Sequence, residues 1–370
     1  KPFRLRPGVR ARHASPRQSS RSTFVASLTL LIVGMSLAGA APVGAGDPQT
    51  GHVLREMPAA AATAAAWAEF DLAYDYAAPQ TNFLAAEVVD GGCETVHALH
   101  ADRRLALAST FKLYVLAELA NQIASGDAAW EEMLPIQNEL KSMPSGGTLY
   151  APAGTRFTLR YFAERMIADS DNTATDHLID RLGRERIEAA LPGLGHGAPE
   201  LNTPLLMTRE FFAFKIAVSP ERTDAYLDAS DSEQRRILAE EIDPIQLDPS
   251  GWGSWVAPKR IDAVEWFASA EEVCQVVATL ATLAQQPALA PLTGILALNR
   301  GGIFPASTWP YAGFKGGYEA GVYNMTWLLG RADGRLFVVT AGLNDPVNYV
   351  NLTTAGALMV TASTLLATAP

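Results

Sequence analysis

The sequence predicts an α/β fold of the α+β type: an antiparallel sheet formed from both termini, helices on its faces, and an inserted helical subdomain. Two observations predict it. Stretches with strand character lie near both ends of the chain, each broken by a tight-turn signal. Long apolar or amphipathic stretches with helix caps fill the interval. Strands at the two ends with helices between them suit a sheet closed by both termini. The composition agrees: 370 residues, 48% hydrophobic and 18% charged, is that of a globular chain. A net charge of -10, with no Lys/Arg-rich run in the body, argues against a nucleic-acid partner.

The elements follow in order. Residues 1–22 carry several Arg and Lys and no acid, and Phe24–Ala40 is an apolar run leading into small residues. That is the layout of a secretory signal, with cleavage expected between Ala40 and Ala45. The boundaries read as 1–45 for the signal, 46–64 for a tether and 65–370 for the folded domain, all-helical over about 109–300. The expected location is secreted, or periplasmic in the cell envelope. An uncleaved membrane anchor is the alternative, because the apolar run is near the minimum spanning length.

"AAAATAAAWAEFD" reads as a helix. "TNFLAAEVV", "DGG" and "ETVHALH" read as two strands around a tight turn. The apolar stretch opening at Ser109 is a long helix stopped near Gly126. "FTLRYFAERMIAD" is an amphipathic helix capped by Thr158, and "NTATDHLIDRLG" is a second one closed by Gly183. Ser269 and Glu272 open another helix as a capping box. "YNMTWLLGR" and "RLFVVTAGL" flank "ADG" as a hairpin, and a last apolar helix covers Tyr349 to Ala367. Cys93 and Cys274 are the only cysteines. So far apart they cannot be paired by reading, and two separate half-buried thiols are the expectation.

Three short patterns carry chemistry. In "LALASTFKLYVLAELA", Ser109 and Lys112 stand at i and i+3, so hydroxyl and amine can share a helix face. A serine hydroxyl needs a base to become a nucleophile. A lysine can be that base only when desolvation or a neighbouring cation lowers its pKa, and apolar neighbours surround Lys112. In "ADSDNTATDH", Ser170-Asp171-Asn172 lies between two predicted helices, where a loop can aim a hydroxyl and an amide at one point. In "YAGFKGGYEAG", Lys315 offers a cation, and Gly316-Gly317 allows close approach of backbone to a ligand.

In this order the three patterns match S-x-x-K, S-D-N and K-[TSG]-G, and the chain resembles the serine β-lactamase and penicillin-binding-protein superfamily. "STFK", "FTLRYFAERMIADSDNTA", "PSGGTLYAPAGTRFTL" and "ELNTPLLMTREFF" look like class A β-lactamases, from about residue 65 onward. The nearest likeness is to the β-lactamase-like serine hydrolases of clavulanic-acid gene clusters. The resemblance implies that Ser109 is acylated, that Lys112 is its general base or part of the proton relay, and that Ser170 passes a proton to the leaving group. It implies that Asn172 holds the acyl side chain and that Lys315 steadies Ser170 and a substrate carboxylate. The backbone N–H groups of Ser109 and Tyr318, next to Gly317, would form the oxyanion hole.

Three departures stand out. Gly316 lacks the hydroxyl that the family places in its third motif; Thr326 or Tyr318 would have to substitute. Ala198 stands where class A enzymes carry the glutamate that activates the deacylating water, and Glu200 lies two positions off. About fifty residues, from Ser219 to Phe267, look inserted. They hold three tryptophans that would either wall a pocket or pack a subdomain, and acids such as Asp243 and Asp248 that could replace the missing base.

No cofactor and no metal are expected, because the six histidines form no zinc-binding pattern and His177 reads as structural. The expected partner is a small-molecule β-lactam or ester, and the expected state a monomer. The function expected is acyl-enzyme hydrolysis of β-lactams. An esterase or peptidase of the same fold is the alternative, and a protein that stays acylated, as a sensor or trap, is the reading from another class.

Overall fold

The computed structural model describes residues 59–368, apart from 249, 250, 252 and 254. The predicted signal, residues 1–45, lies outside the described residues, as does most of the predicted tether. Helix α1 (Ala59–Asp75) begins inside that tether, where a run of alanines favours helix.

Strands β1 (Gln80–Val89) and β2 (Gly92–Leu99) pair antiparallel, with Val89 opposite Gly92. Asp90 and Gly91 between them both have positive φ, the requirement of a two-residue hairpin turn. The two-residue strand β3 (Leu105–Ala106) leads into a 3₁₀ turn, Ala108–Phe111, and then helix α2 (Lys112–Ser125). Gly126 ends α2 in the left-handed conformation.

The predicted all-helical span contains short strands. β4 (Met133–Pro135) and β5 (Arg156–Thr158) pair to close the loop between them. Later, β6 (Phe267–Ala268) pairs with β3. Helices α3 (Leu159–Ala168), α4 (Asn172–Leu182) and α5 (Arg184–Ala190) follow β5. As expected, Thr158 Oγ1 caps α3 by accepting from Tyr161 N at 3.0 Å. The segment from Ser219 to Phe267 is entered through α6 (Thr208–Ile216) and contains α7 (Pro220–Leu227) and α8 (Asp231–Ile237). It returns through β6 to α9 (Ala270–Leu283), opened by the expected capping box, and α10 (Pro291–Ala297).

Strands β7 (Tyr311–Glu319), β8 (Val322–Gly330) and β9 (Leu336–Asn344) complete the main sheet, in the order β2-β1-β9-β8-β7. β7 was not legible as a strand, because three glycines in nine residues remove the branched and aromatic pattern. The final helix, α11, spans Leu352–Ala367 rather than starting at Tyr349, because Asn351 Oδ1 caps it by accepting from Thr354 N at 3.0 Å.

Both sheet faces are covered, so β8 and β9 are buried along nearly their whole length and mostly apolar. Phe83, Trp327, Phe337, Val339 and Leu343 pack with residues of α1 and α11 on one face. Leu84, Ala86, Leu328 and Val338 join the helical core on the other. α2 is buried over nearly its whole length, including Lys112, Glu118 and Gln122. A helix in that position must carry apolar residues on all sides.

The two cysteines are not separate thiols. Cys93 on β2 and Cys274 on α9 form a disulfide across 181 residues of sequence. The sheet packs under α9 and brings the two together, a long-range contact that spacing cannot reveal. Cross-linking a loop of that length stabilises a fold by roughly 2–5 kcal/mol through the unfolded chain. The double variant Cys93→Ser/Cys274→Ser should therefore melt several degrees lower than the oxidised parent. Calorimetry with and without reductant checks this; equal melting temperatures would show that the bridge contributes nothing.

Candidate active site

Ser109 sits in the 3₁₀ turn ahead of α2, at the wall of a cleft of about 720 Å³. The turn is held tightly. Ala108 adopts φ 43, uncommon for a residue with a side chain. Its N–H donates to Glu265 Oε2 at 3.2 Å, Leu107 N donates to Trp266 O at 2.8 Å, and Phe111 stacks on Trp266 at 3.8 Å.

Lys112, the first residue of α2, is fully buried. Its Nζ donates to Ser170 O at 2.8 Å, Ser170 Oγ at 3.1 Å and Asn172 Oδ1 at 2.6 Å. Those are three acceptors for the three N–H bonds of an ammonium. None is Ser109 Oγ, so the expected direct contact at i+3 is not made in this state. Burial pushes the Lys112 amine down to about 7, against the pull of Asp176 and Asp171. Asp176, beyond it, accepts from Thr208 N, Thr208 Oγ1 and Arg209 N, and burial raises its carboxyl to about 6.

Ser170 lies in the left-handed region, φ 55, between α3 and α4. Asp171 next to it is the N-cap of α4, accepting from Ala174 N at 2.9 Å, and also accepts from Ser145 Oγ and Thr148 N. It therefore pins the 145–148 loop as well as the helix. Asn172 uses both ends of its amide inside the protein, Oδ1 to Lys112 and Nδ2 to Pro144 O at 2.6 Å. One N–H of that amide is left for a ligand.

From the opposite wall, Lys315 Nζ on β7 donates to Ser170 Oγ at 3.0 Å and to Gly316 O at 2.6 Å. Burial, then the neighbouring Lys112, hold it well below the usual lysine range. Two amines thus take the two lone pairs of one hydroxyl oxygen. The Ser170 proton is left to point elsewhere.

Gly317 presses β7 directly onto the serine turn. A Cβ there would run into the Leu107 carbonyl and stand 2.8 Å from Ser109 N. The next amide along β7 is that of Tyr318, whose half-exposed ring lines the cleft. Thr326 does not replace the missing hydroxyl at Gly316: its buried Oγ1 is bonded to Asn324 and Thr340 within the sheet. The sequence motifs thus bring Ser109, Ser170, Asn172, Lys315, Gly317 and Tyr318 to one cleft, with Lys112 directly behind it.

The candidate replacement bases do not gather there. Glu200 is an exposed residue of the 3₁₀ turn Pro199–Asn202 and is not part of the cleft wall. Asp243 is paired with Arg209 at 2.6 Å, and Asp248 is likewise absent from the wall. His177 is structural: Nε2 accepts from Gln137 N, Nδ1 bonds Thr173 O, and the ring stacks on Phe162. Of the inserted tryptophans, Trp255 and Trp266 do wall the cleft, and Trp252 lies outside the described residues.

A buried group went unnoticed in the sequence. Glu319, at the end of β7, pairs with the almost fully buried Lys215 at 3.0 Å, and Glu265 is within hydrogen-bonding reach of Glu319. Among the described residues, Glu265 Oε1 and Glu319 Oε2 have no donor from any other group. Burial raises both carboxyls, Glu319 well above the usual range despite Lys215. One proton shared between them satisfies both oxygens and leaves one negative charge for Lys215. This group ties the inserted segment to β7 and, through Glu265, to the turn before Ser109.

Comparison with known proteins finds the following. The model of the "Beta-lactamase enzyme family" matches residues 71–236. A search of curated protein sequences finds no match. Among solved structures, a β-lactamase from Sphaerobacter thermophilus is similar at 18% identity and TM-score 0.56, over 81% of this chain and 97% of that one. A point mutant of PBP-A, as an acyl-enzyme complex with penicillin G, has 15% identity and TM-score 0.55, covering 81% and 96%. An ancestral class A β-lactamase has 18% identity and TM-score 0.54, covering 82% and 98%. At these identities the likeness is one of fold.

Two outcomes follow from the geometry. Gly317→Ala should separate β7 from the serine turn and lower covalent labelling of Ser109 by a fluorophosphonate by about a hundredfold, the cost of one lost oxyanion donor. Circular dichroism checks that the variant folds; undiminished labelling would show that the contact is unimportant. The neutral amine of Lys112 is the form able to take a proton, so labelling should rise with pH through about 7. Lys112→Arg, which stays charged, should be slow and lack that limb; a parent-like profile in the variant would assign the titration elsewhere.

Proposed function

We propose that this chain is a member of the serine β-lactamase and penicillin-binding-protein superfamily and a serine hydrolase that forms an acyl-enzyme on Ser109. The observation that carries the reading is the convergence of Lys112 Nζ and Lys315 Nζ on Ser170 Oγ, at 3.1 and 3.0 Å, in the cleft that Ser109 lines. Substrates are β-lactams or related amides and esters.

Ser109 Oγ attacks the acyl carbon and its proton passes to neutral Lys112. The carbonyl oxygen becomes an oxyanion facing the Ser109 and Tyr318 amides. When the tetrahedral adduct collapses, the bond to the leaving nitrogen or oxygen breaks. Ser170 gives that atom a proton and is reprotonated from Lys112. Lys315 keeps Ser170 oriented by donating to its hydroxyl. Water then adds to the acyl carbon, and the acid leaves with Ser109 restored.

The second half is the slower one in this reading. Ala198 offers no proton acceptor where class A enzymes place a glutamate, and its N–H is turned to His196 Nδ1 at 3.2 Å. A general base contributes about 10²–10⁴-fold. A chromogenic cephalosporin should therefore give a burst equal to the enzyme concentration, followed by slow turnover. The same observation favours the acylated sensor or trap as the second reading.

Intact-mass spectrometry after mixing with a penicillin, a cephalosporin and simple esters tests both. The parent should gain the acyl mass and Ser109→Ala should not. An adduct in the variant would remove Ser109 from the role. Fast turnover without a burst or adduct would show that a base is present. Export is part of the proposal, since the basic and apolar leader and the disulfide both suit an oxidising compartment. N-terminal sequencing should find a start after Ala40 to Ala45, and a start upstream of Phe24 would indicate an anchor.

A further inference from the structure

We infer that this cleft selects an uncharged ester with an aromatic or similarly apolar acyl group, and that the Phe314 ring lying over Gly316 is what selects it. The inference rests on the acyl-enzyme reading and names its substrate class.

Residues 314 and 316 share one face of β7. A Cβ on Gly316 would lie 2.7 Å from Phe314 Cζ and 3.1 Å from Cε1. The ring therefore fills the room that a side chain at 316 would need. It is wedged in place: Trp327 lies against it at 4.7 Å, and a Cβ on Gly301 would lie 2.8 Å from Phe314 Cγ. Where a hydroxyl would meet an anionic group, the substrate meets an aromatic ring.

The charges of the wall point the same way. Its charged residues, among those described, are Lys315, Asp169 and Glu319. Asp169 is paired with Arg165 at 2.7 Å and Glu319 with Lys215 at 3.0 Å. Lys315 is occupied by Ser170 Oγ and Gly316 O, and its burial disfavours the charged form. A substrate carboxylate would have to shed water for a site without a cation placed to receive it, which is unfavourable.

Much of the rest of the wall is aromatic, beside polar residues such as Ser145, Thr208 and Asn299. Phe211 stacks on Trp266 at 4.9 Å, and Trp255 meets Phe211 and Phe212 edge-on at 6.3 and 6.2 Å. Tyr318 and Tyr323 form a second edge-on pair across the cleft mouth, at 6.2 Å. Such surfaces favour flat apolar groups. The balanced first step is Ser109 Oγ–H + R–CO–OR′ → Ser109 Oγ–CO–R + R′–OH, with R the apolar group.

The test is kcat/KM, which reports acylation, for p-nitrophenyl esters of acetic, hexanoic and 3-phenylpropanoic acids and for the mono-p-nitrophenyl ester of adipic acid. The last ends in a carboxylate at about the length of the hexanoate. Adduct mass on Ser109 is followed in parallel. From acetate to hexanoate the value should rise about fourfold per methylene buried. The phenylpropanoate should match or exceed the hexanoate, and the adipate should fall at least about tenfold below it. An adipate as good as the hexanoate, with Ser109 adducts from both, overturns the substrate class and leaves the acyl-enzyme reading standing. If no ester gives either a Ser109 adduct or hydrolysis that Ser109→Ala abolishes, that result overturns the acyl-enzyme reading, and the substrate class with it. In Phe314→Ala/Gly316→Ser, which opens the room and supplies a hydroxyl, the hexanoate-to-adipate ratio should shrink several-fold. An unchanged ratio in the folded variant would acquit Phe314. Should the variant not fold, the ratios for the parent protein decide the substrate class.

Discussion

Two lysines taken out of water around one serine hydroxyl are the constraint on which the site depends. Each ammonium would rather be solvated, so burial pushes Lys112 down to about 7 and holds Lys315 well below its usual range. The surrounding structure has to supply what water would have supplied. Ser170 and Asn172 give Lys112 its acceptors, and Asp176 gives it an opposing charge at a distance. Asp171 then fixes the loop carrying Ser170. The cost of desolvation is what makes an ordinary amine able to take a proton near neutral pH.

The parts of the site that were legible in the sequence are those whose chemistry lies within a few residues. Ser109 with Lys112, Ser170 with Asn172, and Lys315 with Gly317 are short patterns whose meaning comes from order along the chain. The hairpins were legible because Asp90-Gly91 and the turn after Gly330 punctuate apolar strands. What could not be read depends on contacts between distant segments. Lys215, Glu265 and Glu319 each look like a surface charge in their own stretch of sequence, since such residues are seldom fully buried. Only the fold makes them one group. The disulfide was hidden for the same reason. Strand β7 was hidden because the glycines its close approach requires are the residues that erase a strand signal.

The segment from Ser219 to Phe267 and the helix α6 that leads into it help to build the cleft. Its entry and exit supply Phe211, Phe212, Trp255 and Trp266 to the cleft wall, and Glu265 to the serine turn. It sets aromatic rings in the wall of the cleft where both amines meet Ser170. The acid pair and Lys215 let that happen without an uncompensated charge, because one shared proton keeps the trio neutral as a set. The segment is therefore part of the site rather than an appendage to it.

The contact between Ser170 and Lys315 spans 145 residues, and that between Ala108 and Glu265 spans 157. A ribosome makes the serine long before it makes the strand that completes its surroundings. Until β7 is synthesised and docked, Lys112 has no second amine beside it and the serine turn lacks its neighbouring amide. On the proposed reading the nascent chain is chemically quiet until then, and so is any fragment ending before residue 311. On the proposed acyl-enzyme reading, a reactive Ser109 would itself report that β7 has been made and docked.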